Sequence, residues 1–407
     1  MRILTLSWEY TPNVVGGLGR HVTELVPALA KLGVEVHVLT PMLKGGDSFE
    51  HTTKNIYIHR VEPPQADFND FFSLAWETNL KLQEAANRLI DHYKLENKHF
   101  DLIHVHDWLV AFTGGALKEQ YRIPMIATIH ATERGRGRGY LPGNLPRAIN
   151  NVEWWLNFEA WRIICCSEYM KSEVMDYFET PADKIDIVVN GVDTERFDLL
   201  AGEDLSGFRA HYALPEEKII FYVGRMVDEK GVRPLIESAP YVLQTNPYIK
   251  YVLTGAGPQL EEYKLLAKTL GVSHKFYFTG FISDETRDKL YKVVNVATFP
   301  SLYEPFGIVA LEAMAARTPL VVSDTGGVSD VVKNHETGVK VISNDPSSIA
   351  WGILHTLNNP TWTAARVENA YKAVKEHYNW QGIATQTISV YKRVLREYKE
   401  SGWGKKA

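Results

Sequence analysis

The stretch RILTLSWEYTPNVVGGLGRHVTELVPALAKLGVEVHVLTP, Arg2–Pro41, holds a fold in miniature. RILTLSW is a short apolar, β-branched run that reads as a strand. From about Leu18 to Leu32 the apolar residues return at helical spacing, and EVHVLTP is a second strand. Strand, helix and strand in one pass predict two parallel strands joined by a crossover helix.

The same rhythm runs outward from this unit. IYIHRVE, LIHVHD, PMIATIH, RIICCS and IDIVVNG are further strands of one doubly wound sheet. After the polar segment DTERFDLLAGEDLSGF the pattern restarts with KIIFYVGR, KYVLTGAG, KFYFTGF, VATFPS and PLVVSD, a second sheet. The expected division is residues 1–192, residues 193–378, and a closing helix over 379–407. Its apolar residues Ile383, Ile388, Val390, Tyr391 and Val394 predict that it crosses back onto the first domain. Ligands of such sheets bind beyond the carboxyl ends of the strands, so two facing sheets predict a cleft.

Length and composition agree. A chain of 407 residues exceeds one ordinary hydrophobic core, and 45% hydrophobic with 23% charged residues is the balance of a folded protein. Lys plus Arg is 44 against 49 for Asp plus Glu, a net charge of −5 that gives no general pull toward nucleic acid or anionic lipid. The two cysteines, Cys165 and Cys166, are adjacent strand residues, which excludes a disulfide framework, offers no zinc spacing and fits a reducing cytoplasm. The start, MRILTLSWEY, is unlike a signal peptide, and no apolar run approaches the ~20 residues of a membrane helix.

Three motifs carry chemistry. SLYEPFGIVALEAMAARTPLVVSD, Ser301–Asp324, sets Glu304 and Glu312 at the ends of an apolar run. Glu312 can be the exposed side of an amphipathic helix that buries Ile308, Leu311 and Ala315. Glu304 precedes Pro305 and stands just ahead of Gly307, where a helix can begin with outward N–H groups; a carboxylate beside a helix start suits a phosphorylated, hydroxyl-rich ligand. YVGRMVDEKGV places Arg225 and Lys230 in a strand-to-helix loop, with Gly224 and Gly231 allowing close approach; two cations there suit a diphosphate, and two solvated surface cations are the alternative. In NVVGGLGRHV, Gly16 and Gly17 let a phosphate or sugar approach the backbone, or serve packing alone. LTGAGPQLEEY lacks the third glycine of a dinucleotide fingerprint and reads as a tight turn.

GRMVDEKG, EPFGIVALE and GGLGRHV together resemble the retaining nucleotide-sugar glycosyltransferases of family 4, with their two-Rossmann-domain GT-B fold, over almost the whole chain. HVHDWLVA and TIHATERGRGRG add a resemblance to bacterial glycogen and α-glucan synthases. The chain departs from the starch-synthase type, which has a lysine where Val14 stands and lacks the second glutamate kept here as Glu312; it is thereby nearer family 4. The resemblance implies that Arg225 and Lys230 neutralise the donor diphosphate, that Glu312 takes the ribose hydroxyls, and that Glu304 hydrogen-bonds the donor sugar. It also implies that Phe306, Gly307, Ile308 and Thr325, Gly326 and Gly327 aim backbone groups at sugar and phosphates, that the base rests near Gly280 and Phe281, and that His130 binds near the sugar's 6-hydroxyl. Retention without a covalent intermediate is the implied mechanism. No Asp-x-Asp triplet is present, so neither a metal nor another cofactor is expected.

The expected partners are a nucleotide-sugar donor, with UDP and ADP both open, and a carbohydrate acceptor. An α-1,4-glucan leads; a small phosphorylated sugar, as in sucrose-phosphate or maltose-1-phosphate synthases, and a non-catalytic nucleotide-sugar binding module are the alternatives. Arg134, Arg136 and Arg138 read as a mobile basic loop, either solvated or capturing acceptor. His106 and Asp107 lie at a strand end where an acceptor role for Asp107 is open, and His104 reads as a core histidine. Trp154, Phe158 and Trp161 share a helical face that reads as core.

Overall fold

A computed structural model describes residues 1–68 and 70–405. The chain forms two compact units, Met1–Asn190 with Trp380–Ala407, and Gly191–Asn379.

The first unit is built on eight strands: β1 (Arg2–Leu6), β2 (Glu35–Pro41), β3 (Phe49–Thr53), β4 (Ile56–Val61), β5 (Leu102–His106), β6 (Met125–Ile129), β7 (Arg162–Cys165) and β8 (Ile185–Ile187). Their spatial order is β3-β4-β2-β1-β5-β6-β7-β8. Crossover helices join the other parallel neighbours, while β2 and β4 are parallel through the intervening β3, which pairs antiparallel with β4. The sequence reading overlooks β3 because FEHTT is an exposed edge strand with no buried face to impose alternation. Helix Gly17–Lys31 buries Val22, Leu25, Val26 and Leu29 in a core shared with Ile383, Val390, Tyr391 and Val394 of helix Trp380–Ser401. Each such buried aliphatic side chain contributes about 1.5–3 kcal/mol.

The second unit holds β9 (Lys218–Val223), β10 (Ile249–Thr254), β11 (Phe276–Gly280), β12 (Val296–Phe299), β13 (Leu320–Ser323) and β14 (Val339–Val341), all parallel, in the order β11-β10-β9-β12-β13-β14. Strand β14, only three residues long, is the other strand absent from the sequence reading. The polar segment taken as a boundary forms helices Glu195–Asp198 and Ser206–Ala210 within this unit, anchored by the fully buried Phe197.

Both sheets reverse their winding direction once, between β1 and β5 and between β9 and β12. At such a point the loops leave neighbouring strands in opposite directions and open a crevice at the carboxyl ends. No helix among the described residues is long and apolar enough to cross a membrane.

One core expectation is overturned. Helix Asn144–Glu159 buries Ile149, Val152, Glu153, Leu156 and Asn157, while Trp154 and Phe158 are 46% and 67% exposed and stack on each other at 5.6 Å. Two ionic or polar groups, Glu153 and Asn157, have claimed the inner face because they bond to backbone there. Trp161, beyond the helix, packs partly buried against the core.

Candidate active site

In the second unit the loops after β9, β12 and β13 are tied to one another by backbone. The N–H groups of Leu302 and Tyr303 donate to the Glu229 carbonyl at 2.8 and 3.1 Å, joining the loop after β12 to that after β9. Gly231 has φ 66°, and a Cβ there would lie 1.9 Å from the Pro300 carbonyl oxygen, so glycine is required for this approach. Gly326 plays the same part for the loop after β13: φ is 56° and a Cβ would meet the Glu304 carbonyl at 2.3 Å. Tyr222 fixes the first loop through its hydroxyl, which donates to the Arg225 carbonyl at 3.1 Å.

This clasp brings together residues 74 apart in sequence. Lys230 Nζ donates to Glu304 Oε2 at 2.9 Å, and the Ser301 hydroxyl donates to the same oxygen at 3.2 Å. Arg225, beside them in the chain, pairs with Glu229 at 2.7 Å and keeps nearly half of its side chain in solvent. Glu304 itself is buried. Helix Ile308–Ala315 starts immediately afterwards from Gly307 at φ 100°, with Phe306 buried against Tyr378. Phe281 is 73% exposed next to Gly280 at φ 71°, a surface on which a planar ring can lie.

Two expectations need correction here. The N–H of Gly327 donates to the Glu304 carbonyl at 2.7 Å and that of Thr325 to Ser323, so these two amides brace the loop instead of pointing at a ligand; Gly326 supplies the close approach. The helix carrying Glu312 is not amphipathic: Ala310 to Ala315 are all buried, and Glu312 is only 3% exposed.

A carboxylate held that deep requires partners. Arg196 donates to Glu312 at 2.8 Å, Tyr291 Oη donates at 3.3 Å, and Arg287 stands 3.5 Å away. Asp288 joins through Arg287 at 2.9 Å and Arg196 at 3.5 Å; burial raises its pKa, opposed by the two arginines. Sequence reasoning missed Arg196, Arg287 and Tyr291. The one signal was the arginine in GVDTERF beside a phenylalanine that anchors the segment. These donors fix the orientation of the carboxylate. If it reads a ribose, Glu312→Gln is expected to weaken binding of free nucleoside diphosphate by roughly 10- to 100-fold, the equivalent of a lost charged hydrogen bond. Titration calorimetry checks this, and unchanged affinity removes Glu312 from nucleoside recognition.

The first unit gathers a separate cluster at its own winding reversal. His21 lies on the helix after β1, His106 ends β5, and His130 follows β6. His106 Nδ1 and His130 Nε2 are 3.1 Å apart, and His21 Nδ1 is 2.6 Å from Asn190 Oδ1. Burial lowers the pKa of all three, His21 to about 4, so the rings are neutral near pH 7. His104 is a satisfied core residue between Tyr391 Oη and Thr128 Oγ1. Asp107 stands at φ 59° and its Oδ1 accepts from the His130 N–H at 2.7 Å; burial pushes its pKa up to about 7. Asp107 therefore braces the strand end that presents His130. Glu9 Oε2 accepts from the N–H of Val15 and Gly16 at 2.7 and 3.0 Å, placing a carboxylate where the glycine turn meets the helix that Gly17 opens.

The first half of the arginine segment, read as loop, forms a turn of helix. Thr132 caps a turn of helix at Glu133–Arg136, accepting from the Gly135 N–H at 2.9 Å and donating to Glu173 at 3.0 Å. Both Glu153 oxygens accept from the Glu133 N–H, and burial pushes that carboxyl up to about 8. Arg136 stands 3.6 Å from Glu133, Arg134 lies 5.2 Å over the Tyr177 ring, and Arg138 is exposed at φ 52°.

Comparison with known proteins decides the family. Residues 15–196 match the family described as Glycosyltransferase Family 4, and residues 208–373 match Glycosyl transferases group 1. An uncharacterized glycosyltransferase of Methanocaldococcus jannaschii is 38% identical over 96% of this chain and 98% of its own. The chain belongs to glycosyltransferase family 4. This glycosyltransferase is also 35% identical to a protein named glycogen synthase from Mycobacterium tuberculosis, over 96% of this chain and 94% of that one. Its fold matches the sucrose-phosphate synthase structure from Thermosynechococcus elongatus, with a TM-score of 0.83, 24% identity, and coverage of 97% and 99% of the two chains. The enzyme is a hexosyltransferase built as two parallel-sheet α/β units of the GT-B type.

Proposed function

We propose that this glycosyltransferase is a retaining cytoplasmic enzyme that moves glucose from UDP- or ADP-glucose to the end of an α-1,4-glucan. The observation that carries the donor half is the Lys230–Glu304 pair at 2.9 Å, set with Arg225 at the winding reversal of the second sheet. A cation and a carboxylate in one place answer the two ends of the bond to be broken. Lys230 and Arg225 take the charge that develops on the diphosphate, and Glu304 accepts from sugar hydroxyls as the ring gains positive charge. The acceptor half is supported by the relative named glycogen synthase.

In this reaction the bond between the acceptor hydroxyl oxygen and the anomeric carbon forms on the face from which the bond to phosphate breaks. The acceptor proton passes to the departing phosphate oxygen. The protein supplies position and charge. His130, neutral and braced by Asp107, donates or accepts one hydrogen bond to the sugar without changing its charge. Arg134, Arg136 and Arg138 stay as acceptor contacts, with Arg138 the most exposed.

The test incubates each nucleotide-glucose with glycogen, glucose 1-phosphate and fructose 6-phosphate. Elongated glycogen with new α linkages is the expected product. A phosphorylated disaccharide would move the acceptor to the small-sugar class, and failure with every pair would make the chain a binding module. Thermal shifts with UDP, ADP and GDP identify the base, since ligand at about 100 times its Kd stabilises by ~2.7 kcal/mol. Activity is expected to persist in excess EDTA because two cations replace a metal at the diphosphate. Loss restored by Mg²⁺ or Mn²⁺ would overturn that part.

A further inference from the structure

We propose that His21, His106 and His130 form a binding site for a divalent cation of the Zn²⁺ class, and that its occupancy inhibits the enzyme by engaging His130. One ligand nitrogen from each ring lies within 4.8 Å of the other two. A tetrahedral ion with bonds of about 2.0–2.1 Å separates its ligands by roughly 3.3 Å. The 3.1 Å between His106 Nδ1 and His130 Nε2 is close to that spacing, and the nitrogen offered by His21 lies within 4.8 Å of both, so binding draws the three together by a small shift.

His21 is the residue that points to a ligand. Asn190 Oδ1 can only accept, so the 2.6 Å contact places the His21 proton on Nδ1 and leaves a lone pair on Nε2. That Nε2 is buried and has no hydrogen-bond partner among the described residues. An acceptor held on one ring nitrogen while the other faces a cluster is the arrangement that orients metal-bound histidines. The proton in the His106–His130 hydrogen bond moves to the far nitrogen of its own ring when the ion enters, so binding releases no proton. An all-imidazole set favours Zn²⁺, Co²⁺ or Ni²⁺ over the oxygen-seeking Mg²⁺ and Ca²⁺, which keeps this site separate from the diphosphate chemistry. Three protein ligands leave a fourth position for water or a small anion.

The inhibitory half rests on the proposed role of His130 toward the sugar; the binding half does not. Untagged, metal-stripped protein titrated with Co²⁺ is expected to bind one ion per chain and to show the visible absorption of a tetrahedral centre, removed by competing Zn²⁺. His21→Ala should abolish that spectrum, and Asn190→Ala should weaken binding about 10- to 100-fold. X-ray absorption at the zinc edge of the wild-type protein should count three imidazoles, which keeps the test decisive if His21→Ala does not fold. No stoichiometric binding at micromolar protein, equal binding by His21→Ala, or an oxygen-only shell would each overturn the site. One equivalent of Zn²⁺ should lower transfer to glycogen at least tenfold, with recovery in EDTA; full turnover with the ion bound overturns the inhibitory half alone. If no acceptor supports transfer, the functional reading fails while the Co²⁺ spectrum still judges the site.

Discussion

Lys230→Ala is expected to leave the fold intact and to reduce turnover at saturating donor by about 100- to 1,000-fold, the usual cost of removing one preorganised charge from a transition state. Some stability should also be lost, because the pair is only 21% and 12% exposed and truncating Lys230 leaves the buried Glu304 carboxylate to the Ser301 hydroxyl. Arg225→Ala should fall in the same range for turnover. Its partner Glu229 stays in place through the backbone bonds from Leu302 and Tyr303. The double variant should lose less than the product of the two, since both charges act on one diphosphate. Circular dichroism and steady-state kinetics at saturating donor check the set; wild-type turnover in either single variant removes that residue from the mechanism.

The second large effect is acid unfolding of the first unit. His21, His37 and His59 are held down to about 4 and His104 to about 3 by burial, and burial also holds His106 and His130 well below the ordinary value. A histidine with a depressed folded pKa contributes stability that is present above about 6.5 and lost as pH falls toward the folded value. Two carboxyls oppose this. Asp107 and Glu153 are raised to about 7 and 8, so their contribution is full below about 4 and is lost as pH rises to 7–8. Near pH 5.5 the unfolded chain carries close to six imidazole protons that the fold refuses, while the fold keeps two carboxyl protons that the unfolded chain has released. The net of four protons gives a slope of up to ~5 kcal/mol per pH unit. Scanning calorimetry should therefore show the first unit's Tm falling by on the order of 10 °C or more from pH 7.5 to 5.5. A flat Tm across that range would contradict neutral burial of these rings.

What the sequence made legible followed from periodicity and from short motifs. Apolar runs marked the other strands, including the three-residue β8, whose run continues into Val188 and Val189, whereas β3 is polar and exposed and β14 is the bare triplet VKV with a lysine at its centre. The loop motifs named Lys230 and Glu304, residues that the clasp of Gly231 and Gly326 brings within a hydrogen bond. Spacing grouped Trp154 with Phe158 correctly but could not say which side of their helix turns inward, because Glu153 and Asn157 compete for the inside with backbone hydrogen bonds. Arg196 was hidden in a segment whose polarity looked like a boundary, and its partner Glu312 is 116 residues away. The three histidines could not be grouped from sequence, since their meeting depends on β1, β5 and β6 being neighbours in the sheet. The glycines around Arg134–Arg138 read as loop, whereas bonds from Thr132, Glu153 and Glu173 set the start of the segment as a turn of helix.

The first unit is assembled from two pieces of chain, Met1–Asn190 and Trp380–Ala407, with the whole of Gly191–Asn379 inserted between them. As the polypeptide leaves the ribosome, helix Gly17–Lys31 can pack on sheet residues such as Ile3, Val36 and Ile58, but the core it shares with Ile383, Val390, Tyr391 and Val394 stays incomplete until these emerge. The inserted unit, whose own residues are contiguous, can complete its core first. At about 5–20 residues per second the N-terminal piece waits on the order of ten seconds or more for its partner helix. The order of maturation is thereby expected to run against the order of the sequence: the later-made unit can complete its core while the earlier one still lacks its last helix.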